Sequence, residues 1–163
     1  KVTVTSMEFI DVWDFEPETD LEFYMKVFFE TKPVLFPPSD NLTFMDGFVG
    51  YTIHRYKQFQ TQLFIGQPNA PVPDHIHPNV DSFEVPIHGI TFRHSGSVIG
   101  TPETMKTGRA VYVHRNDWHG GVVGPNGGCF LSVQKWLNGI PPTSVERDWD
   151  GDTMGPIHEK LLD

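Results

Sequence analysis

A single cysteine, Cys129, leaves this 163-residue chain without an internal disulfide and points to a reducing compartment. Set in Gly-Gly-Cys-Phe-Leu, it reads as a small buried hydrophobe rather than a nucleophile. Basic residues are also scarce: 12 Lys and Arg stand against 21 Asp and Glu, a formal net charge of −9. Such a surface repels phosphate backbones and anionic lipid headgroups, so neither nucleic acid nor membrane is an expected partner. No apolar run approaches the roughly 20 residues that span a bilayer. The opening Lys1-Val2-Thr3-Val4-Thr5 has neither a signal-like apolar stretch nor an initiator Met. The expectation is therefore a cytoplasmic protein whose upstream residues have been trimmed. Without repeats, low-complexity tracts or a linker, the chain reads as one domain over residues 1–163.

What is abundant is 15 Gly, 14 Pro and 13 Phe. Gly and Pro spread along a chain mean many turns, and aromatics favour strands, which together indicate an all-β fold. The exception is the segment 17–31, where Leu21, Tyr24, Met25 and Phe28 recur at i, i+3, i+4 and i+7 and build one apolar stripe. Thr19 and Glu22 have capping-box spacing, and Lys32-Pro33 prevents continuation. A helix packed outside a sheet is expected there. The barrel core is expected over about 43–137, with strands at Phe48–Tyr56, Thr61–Ile65, Phe83–Ile87, Thr91–Arg93, Ala110–His114 and Phe130–Trp136. Between them lie turn signals such as Gly66-Gln67-Pro68-Asn69, Gly100-Thr101-Pro102 and Gly124-Pro125-Asn126. Residues 138–163 read as an irregular tail with a final helical turn over 158–162.

Eight histidines stand out against this background. In Pro73-Asp74-His75-Ile76-His77-Pro78 two of them are spaced i, i+2, which on a strand turns both to one face and lets both reach one metal. A third ligand must come from another strand, and His119 in Asp117-Trp118-His119-Gly120-Gly121 is placed to supply it. His88, beside Gly89, reads as a surface residue at a turn, His94 as a solvent-facing strand end or a pocket-mouth residue, and His114 as a side chain able to orient a ligand or a water.

These spacings resemble the two motifs of the cupins. The first is His-x-His, three or four residues, Glu, then about six residues to a Gly. Here His75-Ile76-His77 is followed by Asp81 where the family has Glu, and Gly89 closes the motif one residue late. Counting back from Gly89 puts Ser82 in the Glu position, with Glu84 facing inward two residues on. The fourth ligand is thus Asp81, Glu84 or none. The second motif runs Gly108, His114, Arg115, Asn116, His119 with family spacing, His114 replacing the usual Pro and Asn116 the usual Gly. Asn tolerates the left-handed backbone that Gly would supply. The resemblance covers roughly residues 60–136. It implies a double-stranded β-helix (a jelly-roll barrel) with the N-terminal helix outside, a metal held by His75, His77, His119 and Asp81, and a homodimer.

Three neutral imidazoles leave a divalent ion its full charge and two or three open positions, suited to a small anionic or chelating substrate. By resemblance to cupins with this three-histidine pattern, the expected activity is a non-haem Fe(II) dioxygenase, with Ni, Cu, Mn or Zn as other possible ions. The alternatives are a metal-dependent lyase, isomerase or decarboxylase, and a cupin that binds metal or ligand without turnover. Candidate catalytic residues are Glu84 and Tyr112 as general acid or base and Arg55 as carboxylate anchor, with Arg93 and Arg109 as other anchors.

Overall fold

The computed structural model describes residues 9–95, 97–100 and 108–137. The expected tail over 138–163, its helical turn over 158–162 and most of the turn at Gly100-Thr101-Pro102 lie outside these residues. Among those described, helix α1 (Asp20–Thr31) follows strand β1 (Phe9–Asp11). Ten further strands come after it: β2 (Leu42–Met45), β3 (Phe48–Tyr56), β4 (Phe59–Gly66), β5 (Pro71–His75), β6 (Val80–His88), β7 (Ile90–His94), β8 (Ser97–Gly100), β9 (Arg109–Val113), β10 (His119–Val123) and β11 (Gly128–Trp136). A seven-stranded sheet runs β1-β9-β6-β11-β4-β3-β2 and faces a four-stranded sheet in the order β5-β10-β7-β8, with every pairing antiparallel.

The period-2 alternation of the large sheet divides its side chains between two environments. On β6 the even positions Glu84 and Pro86 face the interior, where they line one cavity with residues of the opposite sheet. The odd positions Phe83 and Val85 face outward and pack with Leu21, Tyr24 and Met25 of α1. Strand β11 repeats the division, with Ser132 and Gln134 inside and Val133 outside. Phe92 of the small sheet packs on Val111 and Val113 of β9, which ties the two walls together.

Helix α1 starts three residues later than expected, because Thr19 is its N-cap and accepts a bond from the Glu22 amide at 3.2 Å. Glu22 reaches back to the Glu18 amide at 2.9 Å, one residue beyond the capping-box target. Lys32, left-handed at φ 50°, ends the helix. The buried stripe is the expected one, Leu21, Tyr24, Met25 and Phe28. Tyr24 adds a polar anchor: its hydroxyl bonds Thr61 at 2.8 Å and His54 at 3.0 Å on the sheet's outer face. No helix among the described residues is long and apolar enough to cross a membrane.

Candidate metal centre

Antiparallel pairing of β5 with β10 sets His75 directly opposite His119, and His77 follows two residues after His75. The loop between β9 and β10 is pinned to this edge by the Asn116 amide, which donates to the His77 carbonyl at 3.0 Å. Asn116 has φ +69°, the left-handed backbone that the cupin motif otherwise assigns to Gly. The three rings converge, with centroids 4.3 Å apart for His75 and His119, 4.6 Å for His75 and His77, and 5.0 Å for His77 and His119. One nitrogen from each lies within 4.8 Å of the other two.

Hydrogen bonds decide which nitrogens face the common point. The Nδ1 of His75 lies 2.8 Å from the Pro73 carbonyl, and that of His119 lies 3.0 Å from the Asp117 carbonyl. A carbonyl only accepts, so both Nδ1 atoms carry the proton and both Nε2 atoms keep a lone pair for an ion. Burial, followed by the neighbouring His75 and His77, holds the His119 imidazole well below its ordinary 6.5, so it is neutral and able to ligate. An ion about 2.1 Å from each nitrogen needs them roughly 3 to 3.5 Å apart, within the 4.8 Å limit that the three nitrogens share. The donor set fits a divalent transition metal.

Asp117 braces this arrangement from behind. Its carboxylate lies 3.1 Å from His94 Nε2 and accepts the His114 amide at 3.2 Å, while its carbonyl holds His119. His94, expected at a solvent-facing strand end, is buried, because the β7–β10 register places it opposite His119. His88 and His114 are exposed.

The histidines open on a cavity of about 90 Å³. Glu84, Ser132, Gln62 and Gln134 line it from the large sheet, and Phe48, Phe64, Phe92 and Phe130 supply apolar wall. Glu84 is buried, and its Oε2 accepts from Ser82 at 2.7 Å and Ser132 at 2.9 Å. Desolvation outweighs those two bonds and pushes its carboxyl up to about 7. Gln134 is a hub. Its amide donates to Gln62 at 2.9 Å and Ser132 at 3.1 Å, and its oxygen accepts from Gln60 and the Trp136 indole, both at 3.0 Å.

The other candidates lie elsewhere. Asp81 is not brought to the three histidines: its odd position on β6 turns it to the outer face, where it accepts the Arg115 amide at 2.8 Å. Tyr112 is also on the outer face, its ring 5.1 Å from that of Phe83. Burial, with Asp81 and Asp117 nearby, raises its phenol to about 12. Arg55 does not line the cavity, since its Nε is engaged by the Gln60 side chain at 2.6 Å. Nor do Arg93, bonded to Asp74 at 2.9 Å, and Arg109. Reading the sequence alone overlooks Ser132 and Gly120-Gly121. The glycines had a signal in following His119 directly: a Cβ on Gly120 would stand 2.6 Å from the Val72 carbonyl, so β5 and β10 approach there only without side chains.

No family model matches the sequence, and comparison with curated proteins gives no match. Solved structures do match. KdgF from Halomonas sp. superposes with a TM-score of 0.55 at 11% identity, covering 63% of this chain and 92% of that one. An RmlC-like cupin from Shewanella frigidimarina NCIMB 400 gives 0.51 at 14% identity over 60% and 85%. A conserved protein with a double-stranded β-helix domain from Klebsiella pneumoniae subsp. pneumoniae MGH 78578 gives 0.50 at 18% identity over 64% and 90%. The class is therefore set by architecture: this chain has the cupin fold. Its described residues form one barrel carrying a three-histidine cluster that could hold one metal ion.

Proposed function

We propose that the chain is a mononuclear metal-dependent cupin enzyme, specifically a non-haem Fe(II) dioxygenase acting on a small chelating substrate. The observation that carries this reading is the convergence of His75, His77 and His119 on the wall of a cavity that also holds Glu84. Bound there, the ion would supply a 2+ charge and, as Fe(II), the redox capacity of an oxygenase. The three imidazoles would hold it from one side and add no negative charge. The phenylalanines give the cavity an apolar wall, and an apolar wall lowers the local dielectric and strengthens electrostatic contacts beside it. Glu84, with its carboxyl near 7, can hold or release a proton at its Oε atoms close to neutral pH.

That same carboxyl favours a second reading, a metal-dependent isomerase or lyase in which Glu84 moves the substrate proton and no oxygen is consumed. Calorimetric titration with Fe(II) under nitrogen is expected to give one site per chain, lost in His119→Ala. Nitric oxide, which needs a vacant position on the iron, is then expected to give an iron–nitrosyl EPR signal. Failure to take up Fe(II) overturns the metal-dependent reading. Uptake with no nitrosyl signal overturns the dioxygenase and leaves proton transfer as the chemistry.

A further inference from the structure

We infer that the cavity selects a short-chain, singly charged molecule that chelates through two oxygens and carries an apolar body, of the kind typified by 2-hydroxy monocarboxylates, and rejects dicarboxylates and sugar acids. This rests on the metal-dependent reading above and names the substrate class of the same site.

The first ground is charge. Among the described residues the cavity is lined by no Lys or Arg. The arginines suited to grip a second carboxylate are held elsewhere, Arg55 by Gln60 and Arg93 by Asp74. The one ionisable carboxyl in the lining, Glu84, is held by two hydroxyls rather than by a cation, so the wall offers a second anion no compensating positive charge. Positive charge comes from the ion alone, which suits one anionic head.

The second ground is hydrogen-bonding capacity. Gln134 uses both amide hydrogens, on Gln62 and Ser132, and its oxygen already accepts twice. The Ser132 hydroxyl donates to Glu84 while accepting from Gln134. Gln134 and Ser132 are spent on each other and on their neighbours, so the wall leaves few partners for the several hydroxyls of a sugar acid. What remains is apolar wall: Phe48, Phe64, Phe92, Phe130, Pro86 and Ile90.

The third ground is size. The space within the walls is about 90 Å³, below the roughly 150 Å³ of a closed cavity that holds benzene, which favours a body of a few aliphatic carbons.

The test uses the Co(II)-loaded protein, whose visible spectrum changes when an oxygen chelator binds. 2-Hydroxybutanoate and malate share the same chelating head and chain length, and malate carries one more carboxylate. We expect 2-hydroxybutanoate to bind at least tenfold more tightly. Malate binding equally well or better overturns the inference while leaving the metal site standing. Failure to take up Co(II) removes the site and this inference with it. Phe130→Arg adds a cation to a half-buried wall position, where a long side chain can extend to solvent. It is expected to raise malate affinity relative to 2-hydroxybutanoate, and an unchanged ratio shows that missing cationic wall is not what sets the preference. If that variant does not fold, the comparison in the unaltered protein decides alone.

Discussion

Glu84 is a carboxyl that folding moves from water into a wall of hydroxyls and aromatic rings, and its proton affinity rises accordingly. The folded value of about 7 against an ordinary 4.5 means the native state binds the proton more tightly than the unfolded chain. Its contribution to stability is complete below about pH 4.5 and is lost as pH rises through 7, on the order of 3 kcal/mol. Metal-free Glu84→Gln keeps a neutral side chain of the same shape at every pH. Denaturant melts from pH 5 to 8 should therefore show the unaltered protein losing stability relative to this variant, and parallel curves would refute the burial account. Gln134 makes a sharper case. Gln134→Leu removes at once the bonds that Gln134 makes to Gln60, Gln62 and the Trp136 indole, and each buried polar bond lost in this way costs about 1 to 3 kcal/mol. A loss of at least about 3 kcal/mol in urea is expected, whereas a cost under 1 kcal/mol would mean the network is not maintained in solution.

At the scale of elements, α1 and the metal centre are served by opposite faces of the same strands. Met25 is fully buried between helix and sheet, and Met25→Ala should cost about 2 to 5 kcal/mol by denaturant melt. Calorimetric Fe(II) affinity should stay unchanged, since no residue of α1 lines the cavity. The helix was legible in the sequence because its stripe and its cap are local signals. So were the long strands β3, β4 and β11, and the three histidines, whose spacing carried them. So were β6, β7 and β9, whereas β1, β2, β5, β8 and β10 were not. Strand β5 holds Pro71 and Pro73, and β10 opens His-Gly-Gly, so neither shows alternation of apolar side chains. Glu84 faces inward as expected, whereas the facing of Asp81 and Tyr112 depends on the phase of β6 and β9, which pairing with neighbours fixes. Arg55 was obscured by a register shift between Thr52 and His54, which sends His54 outward to Tyr24 and leaves Arg55 opposite Gln60.

For the whole molecule, a metal joining β5 to β10 ties together residues far apart in sequence, so binding is linked to global unfolding. At a free ion concentration 100 times the dissociation constant, the folded state gains about 2.7 kcal/mol. Thermal melts with and without Ni(II) should show the rise, chelator should reverse it, and His75→Ala should abolish it. A rise that persists in that variant would place the ion elsewhere. The even and odd positions of β6 and β11 answer to different demands, one set to a small ligand and the other to a helix. A library that randomises only even-numbered positions such as 86 and 130 could therefore explore new substrates while the attachment of the helix is held constant. The barrel is in this sense a chassis whose inner lining can be exchanged without touching its outer frame.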